Sequence, residues 1–334
     1  MLPGMKPATR RHRSSATPVN CTRVIRPYEF DERYLQVLLS LDPNRAFKYL
    51  TIPWLHLLCR PEVEYSVFRR YLGYLRQAPN RYIRCPEQQN ASPNVPYKTL
   101  VYELADRGMQ LLQDRGLVPI RENPRSKRNR PNAQHRAHSY YHEIIVDLGY
   151  FAPLLFLARS NPTLRLIDFS QLLSHANVPA ATRAAHDPLL VTLKRGQTRF
   201  DGTPHVIVCS GSGAPLSIGI PGIQVDRGTE TFERVEAHLR NAVEYITDGH
   251  HTRLWGFDNC MIPFLFTSEA RKSRAMAYLK SESGAYPFLL FKTIPDIGLL
   301  RQFPKPPDTH HLFTTPWQRV GFPDFVLSTF EEVG

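Results

Sequence analysis

The stretch from Ile218 to Ile246 constrains the fold of this chain more than any other. Its apolar first part ends in the polar cluster Gln224-Val225-Asp226, and a helical spacing of apolar residues begins immediately afterwards. Such a change of pattern predicts a strand that turns directly into a helix. We therefore expect Gln224, Asp226 and Glu230 to crowd at a strand-to-helix corner, which is the first place to look for a functional site.

Length, apolar content and charge limit the classes of protein to which the chain can belong. It has 334 residues, of which 42% are hydrophobic, so two domains with ordinary cores are expected. Its formal net charge is +12 and its pI is about 9.6. This balance favours polyanionic partners, above all nucleic acid, although a basic surface that only contacts solvent has the same composition.

The cysteines and the N-terminal segment indicate a compartment. The five cysteines are scattered without a CxxC pair, which argues against a disulfide framework and a zinc ribbon. The N-terminal segment is basic but lacks the apolar core of a signal peptide, and no stretch approaches about eighteen apolar residues. The sequence thus predicts a cytoplasmic protein without a membrane partner.

Two basic, polar segments are expected to remain outside the folded domains. Residues 1–26 contain arginines and a lysine but no acidic residue, which predicts a disordered tail. Residues 121–137 form an Arg-rich linker punctuated by proline, and its candidate DNA contacts are Arg125, Lys127, Arg128 and Arg130. Either segment could bind phosphates or simply be solvated.

Residues 27–120 show the pattern of a winged helix-turn-helix. Apolar residues recur at helical spacing from Phe30, a helical piece is expected from Arg45 to Leu50, and Pro53 can open the next helix. The third helix is expected from Pro61 to Gln77, with a buried stripe of Val67, Phe68, Tyr71, Leu72 and Leu75. Strands at 81–85 and 97–104 and a helix at 106–115 complete the order of elements.

In a winged helix-turn-helix the third helix enters the major groove and the wing lies along the DNA backbone. The candidate contacts on these elements are basic and expected to face outward: Arg69, Arg70, Arg76, Arg81, Arg84 and Lys98. Glu62 and Glu64 would repel phosphates at the start of the third helix. Because winged helices can also mediate protein contacts, that alternative stays open.

The pattern in residues 138–295 predicts a mixed α/β domain. An almost entirely apolar helix is expected from Ser139 to Ala158, then an irregular or short helical insertion at 160–190 and strands at 189–194, 205–209 and 217–225. Beyond the corner helix, His250 and His251 are expected in a loop, MIPFLFT predicts a buried central strand, and Ser268 caps another helix before a strand at 287–291. The fold class is thus α+β or α/β, with residues 296–334 as a proline-rich, extended tail.

Acidic groups gather around the predicted corner. Asp201 opens a hairpin, and Asp226 ends the following strand. A third acid from the first helix, Glu143 or Asp147, and Glu230 beyond the strand would offer oxygen ligands to Mg²⁺ or Mn²⁺, which can activate water for phosphodiester hydrolysis. The candidate metal ligands are Asp201 and Asp226, and the candidate catalytic set is Asp201, Gln224, Asp226, Glu230 and Glu143.

The same residues allow two further interpretations. A metal-dependent nuclease usually has a second carboxylate and a lysine on that strand, where this chain has Gln224 and no nearby lysine. A non-catalytic domain that binds nucleic acid is therefore one alternative. Because aspartate and glycine are common turn residues, a purely structural corner is another.

Five motifs occur together in the chain: LVYELADRGMQLLQDRG, HEIIVDLGYF, FDGTPHVIV, VDRGTETFERVEAHL and IPFLFTSEARKSRAMAYL. They resemble the replication-relaxation family found on plasmids and integrative elements in bacteria, over roughly residues 30–285, and DRGTE at 226–230 is the most specific part. The resemblance implies a winged helix joined to a restriction-endonuclease-like domain, with a role in plasmid replication and DNA relaxation. By motif position, the family's site residues fall on His142, Asp147, Asp201, Asp226 and Glu230.

Three positions depart from the family pattern. Phe200 stands where the family has proline, Gln224 where it commonly has glutamate, and His238 near a common lysine. Each departure removes a group that metal binding or charge stabilisation would use. The sequence therefore favours a DNA-binding accessory protein with a degenerate nuclease-like domain, whose partners are DNA and a relaxase or replication initiator protein. A metal-dependent endonuclease that nicks element DNA and a winged-helix transcriptional regulator are the alternatives.

Overall fold

The computed structural model describes residues 30–42, 47–86, 100–118, 142–185, 187–210, 214–282, 284–294 and 311–333. The basic tail at 1–26 and the linker at 121–137 lie outside these residues, and so do Lys98, Arg125, Lys127, Arg128 and Arg130. Within the described part, helices combine with several β-sheets in an α+β architecture.

The N-terminal unit, residues 30–118, has short helices around a small antiparallel sheet. Its elements are, in chain order, a 3₁₀ turn at Glu32–Tyr34, helix α1 at Leu35–Ser40, strand β1 at Leu50–Thr51, helix α2 at Ile52–Cys59, helix α3 at Tyr65–Arg76, strand β2 at Ile83–Arg84, strand β3 at Val101–Leu104 and helix α4 at Asp106–Asp114. The sheet order is β1-β3-β2, and both pairs are antiparallel. Strand β3 therefore lies between β1, which precedes α2, and β2, which follows α3, and it pairs with both.

Local sequence explains where α2 and α3 begin. Pro53 lies in the first turn of α2, where a backbone N–H group would have no partner within the helix. The Glu64 carboxylate caps α3 by accepting hydrogen bonds from the backbone N–H groups of Ser66 at 3.1 Å and Val67 at 3.2 Å. This cap satisfies two of the donors that a helix leaves unpaired at its start.

Two predictions for this unit are wrong in part. The buried stripe of α3 is confirmed for Phe68, Tyr71, Leu72 and Leu75, but Val67 is 46% exposed. Val67 lies about a quarter turn from the centre of that stripe, where nothing covers it within the described residues. The helical piece expected to end at Leu50 is wrong at that end, because Leu50 belongs to β1 and pairs with Tyr102.

The C-terminal unit, residues 142–333, begins with helix α5 at 142–160, which contains a π-helical section at Ile145–Phe151 and a regular section at Ala152–Ser160. The further helices are α6 at Phe169–Leu173, α7 at Ala180–Ala184, α8 at Phe232–Thr247, α9 at His250–Trp255, α10 at Glu269–Ser281 and α11 at His311–Thr314. The strands are β4 at Leu164–Ile167, β5 at Val191–Leu193, β6 at Gly196–Thr198, β7 at His205–Cys209, β8 at Leu216–Ile220, β9 at Gln224–Asp226, β10 at Ile262–Phe266, β11 at Leu289–Thr293, β12 at Trp317–Arg319, β13 at Phe322–Val326 and β14 at Glu331–Val333.

The largest sheet is mixed and has the order β14-β13-β12-β11-β10-β9. Strands β9, β10 and β11 are parallel, and β12, β13 and β14 continue the sheet in antiparallel pairs. Every residue of β10 is buried, which confirms the central strand predicted from MIPFLFT. The C-terminal segment was expected as an extended tail, but residues 317–333 instead add three strands to the edge of this sheet.

The two faces of the parallel strands have different neighbours. Gln224 and Asp226 are in register with Phe264 and Phe266, on the face that packs against α8 and α10. Val225 points to the opposite face, because successive side chains on a strand alternate. The polar residues at the end of β9 are therefore directed towards the two helices that follow β9 and β10.

Two smaller sheets and a break in one predicted strand complete the unit. Strands β4, β7 and β8 form an antiparallel sheet, although β4 lies where an irregular or helical insertion was expected. The strand expected at 217–225 divides at Gly222, whose φ is +149° and where an added Cβ would lie 2.5 Å from the Phe200 side chain. His250 begins helix α9, so the predicted loop at this position is wrong.

One apolar cluster runs through both units. It includes Leu55 and Leu72 of the N-terminal unit, Leu148 and Leu154 of α5, and Trp317 of β12. The two predicted domains consequently share α5 as a common packing element. Although α5 is strongly apolar, no helix in the described ranges is long and apolar enough to cross a bilayer.

Candidate functional site

The Asp226 carboxylate at the end of β9 is bound from two directions. Arg271 of α10 donates from Nε to Oδ2 at 2.5 Å and from Nη2 to Oδ1 at 3.0 Å. The backbone N–H of Gly228 donates to Oδ1 at 2.8 Å. Gly228 has a φ of +73°, a left-handed conformation that glycine adopts without a steric penalty. The chain can therefore turn back on Asp226 directly after the strand.

Arg271 also fixes the loop that follows Asp226. Its Nη2 donates to the backbone carbonyl oxygen of Glu230 at 3.0 Å. Asp226 is 7% exposed. A bidentate arginine–carboxylate pair with so little exposure is stronger and more directional than a pair on the surface. Sequence reasoning missed Arg271 as a partner, because it belongs to a basic helix 45 residues further along the chain and no local pattern links the two.

Asp201 lies beside the same strand. Its backbone N–H and carbonyl groups exchange hydrogen bonds with Ile223, both at 2.9 Å. Its Oδ2 accepts from the backbone N–H of Val225 at 3.0 Å and from Nε2 of Gln224 at 3.4 Å. Nε2 of His142 lies 2.7 Å from Oδ1. The structure thus brings Asp201 and Gln224 together and adds a histidine from α5.

The contact with Asp201 favours the protonated form of His142. Burial lowers the pKa of its imidazole, but the charge of Asp201 and the hydrogen bond to it raise that pKa further, so the result lies above the ordinary value. Arg227 lowers the pKa, and Glu230 raises it. The contact between His142 and Asp201 therefore joins the start of α5 to the hairpin that begins at Asp201, and it is an ion pair when the ring is protonated.

The Glu230 carboxylate pairs with side chains of α8. Its Oε1 lies 3.5 Å from Nη1 of Arg234, and its Oε2 lies 3.4 Å from Nε2 of His238. The Glu230 side chain is 37% exposed, so each of these pairs is weak. The backbone carbonyl of Glu230 consequently contacts Arg271, and its carboxylate contacts side chains of α8.

This arrangement does not fit a Mg²⁺ or Mn²⁺ ion that bridges Asp201 and Asp226. Both carboxylates already accept several donors, and the guanidinium of Arg271 would repel a divalent cation at Asp226. Across the described ranges, no group of three or more His, Cys, Asp or Glu side chains is arranged to hold a metal ion. The corner is instead a pair of neighbouring ion pairs, Arg271 with Asp226 and His142 with Asp201.

The two acids of α5 contact the N-terminal unit. Glu143 forms a salt bridge with Lys48. Asp147 is fully buried, and its Oδ2 accepts the backbone N–H groups of Lys48 at 2.9 Å and Tyr49 at 2.8 Å. Burial raises the pKa of Asp147 to about 8, although these hydrogen bonds oppose the rise. Both acids thus tie α5 to the segment that precedes β1.

A lysine does lie on the parallel sheet, but it faces away from the corner. Lys292 of β11 is in register with Leu265, which is in register with Val225, so it lies on the face opposite Asp226. Its Nζ donates to the Thr315 carbonyl oxygen at 2.8 Å and to Thr315 Oγ1 at 2.6 Å. Burial lowers the pKa of Lys292 to about 8. This lysine therefore anchors the C-terminal strands.

The second candidate surface is the outer face of α3. Arg69 and Arg70 are exposed there, together with Tyr65 at 41%, Val67 at 46% and Tyr74 at 43%. Arg81, which follows the helix, is exposed as well. Within the described residues, none of these three arginines forms a salt bridge with a carboxylate. The face thus offers positive charge, with no salt bridge to a described carboxylate, beside apolar side chains.

The two other predicted DNA contacts of this unit that the structure describes, Arg84 and Arg76, contact neighbouring side chains. Nε of Arg84 lies 2.7 Å from Oε1 of Glu103 across the β2–β3 pair. Nη1 of Arg76 donates to Sγ of Cys85 at 3.5 Å. Glu62, which was expected to repel phosphates, pairs with Arg60, and Glu64 is used as the cap of α3. Arg69, Arg70 and Arg81 are accordingly the more accessible cations.

Comparison of the chain with known protein families, with curated proteins and with solved structures finds no match.

Proposed function

We propose that this protein is a DNA-binding accessory protein that acts in the replication, relaxation or mobilisation of a plasmid or integrative element. The N-terminal unit would bind duplex DNA as a winged helix, and the C-terminal unit would be a nuclease-like domain without cleavage activity. The proposal rests on the outer face of α3, where Arg69 and Arg70 are exposed and form no salt bridge within the described residues. Its link to mobile elements rests on the resemblance of the DRGTE corner and its companion motifs.

The order of elements in the N-terminal unit supports this use of α3. A helix, a short strand, two helices and a β-pair followed by a helix are the parts that a winged helix-turn-helix requires. The sheet order β1-β3-β2 lays the β-pair against the segment that precedes α2. The cationic face of α3 is then available to phosphates and base edges, and the net charge of +12 adds a long-range attraction to DNA.

The corner in the C-terminal unit supports binding rather than cleavage. Three parallel strands with flanking helices α8 and α10 suit a nuclease-like domain. However, Asp226 is neutralised by Arg271, and Asp201 is paired with His142. We infer that these residues hold the corner rigid, and that the C-terminal unit contacts a protein partner such as a relaxase or a replication initiator protein.

A gel-shift titration with duplex DNA tests the proposal. The affinity of the full chain should fall by more than about tenfold between roughly 50 and 200 mM salt, as expected when arginines displace counterions. The double variant Arg69→Ala/Arg70→Ala should bind about tenfold more weakly and show a smaller salt dependence. The matched control is Arg165→Ala/Arg183→Ala, which removes two exposed arginines from the C-terminal unit. No binding at low salt, or equal losses in both double variants, would refute the role of α3.

A further inference from the structure

The glycine in the middle of α3 has no explanation within the described part of the protein. Gly73 lies in a regular helix, where glycine costs about 1 kcal/mol relative to alanine. Its φ is not in the left-handed range, and a Cβ added at this position would meet no heavy atom within 4 Å. Neither backbone conformation nor packing against described residues therefore requires a glycine. Without a side chain at this position, the backbone of α3 leaves room for a close approach by another molecule.

Gly73 lies in the centre of the exposed face. Helical geometry places it in one row with Ser66, Arg70 and Gln77, opposite the buried stripe that contains Phe68 and Leu75. This row has no side chain at Gly73 and a guanidinium about one turn before it, at Arg70. Another molecule can therefore approach the helix closely at Gly73. The exposed positive charge of Arg69 and Arg70 favours an anionic partner such as duplex DNA over another basic protein surface.

One edge of this face is apolar. Val67 and Tyr74 are seven residues apart and so lie above one another along the helix, and they are 46% and 43% exposed. In the major groove, the one apolar group on a base edge is the C5-methyl of thymine, which apolar side chains contact. An apolar edge beside Arg70 thus matches a groove that presents thymine methyls next to guanine or phosphate.

We propose that α3 lies in the major groove with Gly73 at its closest approach to the DNA, and that Val67 and Tyr74 read the C5-methyl groups of thymines. This inference rests on the proposed DNA-binding function and adds to it a base preference and the residues that read it. It requires that removal of the methyl group, and addition of one at Gly73, both weaken specific binding.

The first test uses duplexes selected by the full chain from a randomised library. Deoxyuridine then replaces each thymine of the selected site, which removes only the methyl group. The wild-type affinity should fall about threefold to fivefold at one or more positions, as expected for one methyl group buried at the interface. In Val67→Ala the loss at one such position should disappear. The matched control Val333→Ala removes an equally exposed valine, at 45%, from β14 and should keep the wild-type response.

The second test is Gly73→Ala. Because alanine is the better helix former and meets no described atom, the unfolding temperature should stay equal or rise. Affinity for the selected duplex should nevertheless fall by about tenfold, since the added methyl group overpacks the interface. Unchanged affinity in a well-folded Gly73→Ala would overturn the inference.

The outcomes separate this inference from the proposed function. Binding at low salt with no enriched site, or an enriched site that is insensitive to deoxyuridine, overturns thymine reading and leaves DNA binding intact. No binding to any duplex at low salt refutes the proposed function itself. If sedimentation shows self-association that Gly73→Ala abolishes while DNA affinity is unchanged, the face joins two copies of this chain and the inference is wrong.

Discussion

Arg271 on α10 and Asp226 at the end of β9 form a bidentate ion pair at the strand-to-helix corner. The pair joins two elements that are 45 residues apart, and the same guanidinium reaches the backbone carbonyl of Glu230. The negative charge of Asp226, which the sequence places at the corner, is therefore neutralised by a positive charge in the folded protein. This ion pair affects the stability of the corner and its capacity to bind a divalent metal ion.

Removal of Arg271 should destabilise the protein strongly. Arg271→Ala leaves Asp226, which is 7% exposed, with the Gly228 N–H but without its cation. We expect a loss of about 3 kcal/mol, typical of a broken buried pair, measured by urea unfolding. The exposed Arg234, 3.5 Å from Glu230, is the control, and Arg234→Ala should change stability little. Adding Asp226→Asn to Arg271→Ala should recover part of the loss, and no recovery would contradict an electrostatic cause.

Supercoiled plasmid should stay intact when it is incubated with the protein and Mg²⁺ or Mn²⁺. The reason is that donors already occupy both candidate ligands, Asp201 and Asp226. The measurement is the ratio of supercoiled to open-circular DNA on a gel over time. Open circles that form with the wild-type protein and vanish in Asp226→Ala would instead support the metal-dependent endonuclease.

The buried Asp147 should make stability depend on pH. Its pKa is raised by burial to about 8 in the folded protein, against 3.8 as its ordinary value. Between these values the folded state holds a proton that the unfolded state has released, so this group's contribution to stability falls as pH rises. Melting temperatures measured from about pH 5 to 8 should therefore decline more steeply for the wild type than for Asp147→Asn.

Asparagine keeps a carbonyl oxygen that can accept the N–H groups of Lys48 and Tyr49. Asp114→Asn, a change at an exposed carboxylate of α4, is the control and should follow the wild-type curve. Parallel curves for all three proteins would show that Asp147 does not hold its proton in this way.

The pKa values of two histidines, the half-buried His142 and the buried His205, should be shifted in opposite directions. The pKa of His142 is reduced by burial but raised beyond its ordinary value by Asp201, whereas burial lowers the pKa of His205 to about 4. His142 thus favours folding below its ordinary pKa, and this contribution is lost as pH rises through its folded value. His205 favours folding above pH 6.5, and its contribution is lost as pH falls towards 4.

NMR titration of the imidazole signals measures both pKa values directly. Asp201→Asn should lower the pKa of His142, because it removes the negative charge 2.7 Å from Nε2. His205 contacts Tyr150 Oη at 3.2 Å and the Thr203 carbonyl oxygen at 3.0 Å, so it serves as an internal control and should not respond. If the pKa of His142 is the same in Asp201→Asn as in the wild type, the ion pair between His142 and Asp201 is ruled out.

Local patterns predicted the elements whose burial follows from their own sequence. The period of Phe68, Tyr71 and Leu75 gave the inner face of α3, and the run around Phe264 gave the central strand, because continuous burial needs continuous apolar residues. The three C-terminal strands β12 to β14 were missed, since such short strands are defined by their hydrogen-bonded neighbours rather than by their composition. For the same reason Leu50, the first residue of β1, was predicted as the end of a helix.

The sequence by itself determined the strand-to-helix corner, its acidic residues and the cationic face of α3, because periodicity and residue type are local properties. Only the tertiary structure decided what those residues contact. It paired Asp226 with Arg271 and Asp201 with His142, and it turned Lys292 to the opposite face of the sheet. The physical reason is that the energy of a buried charge depends on the neighbours that surround it in space, and these come from segments that are distant in the chain.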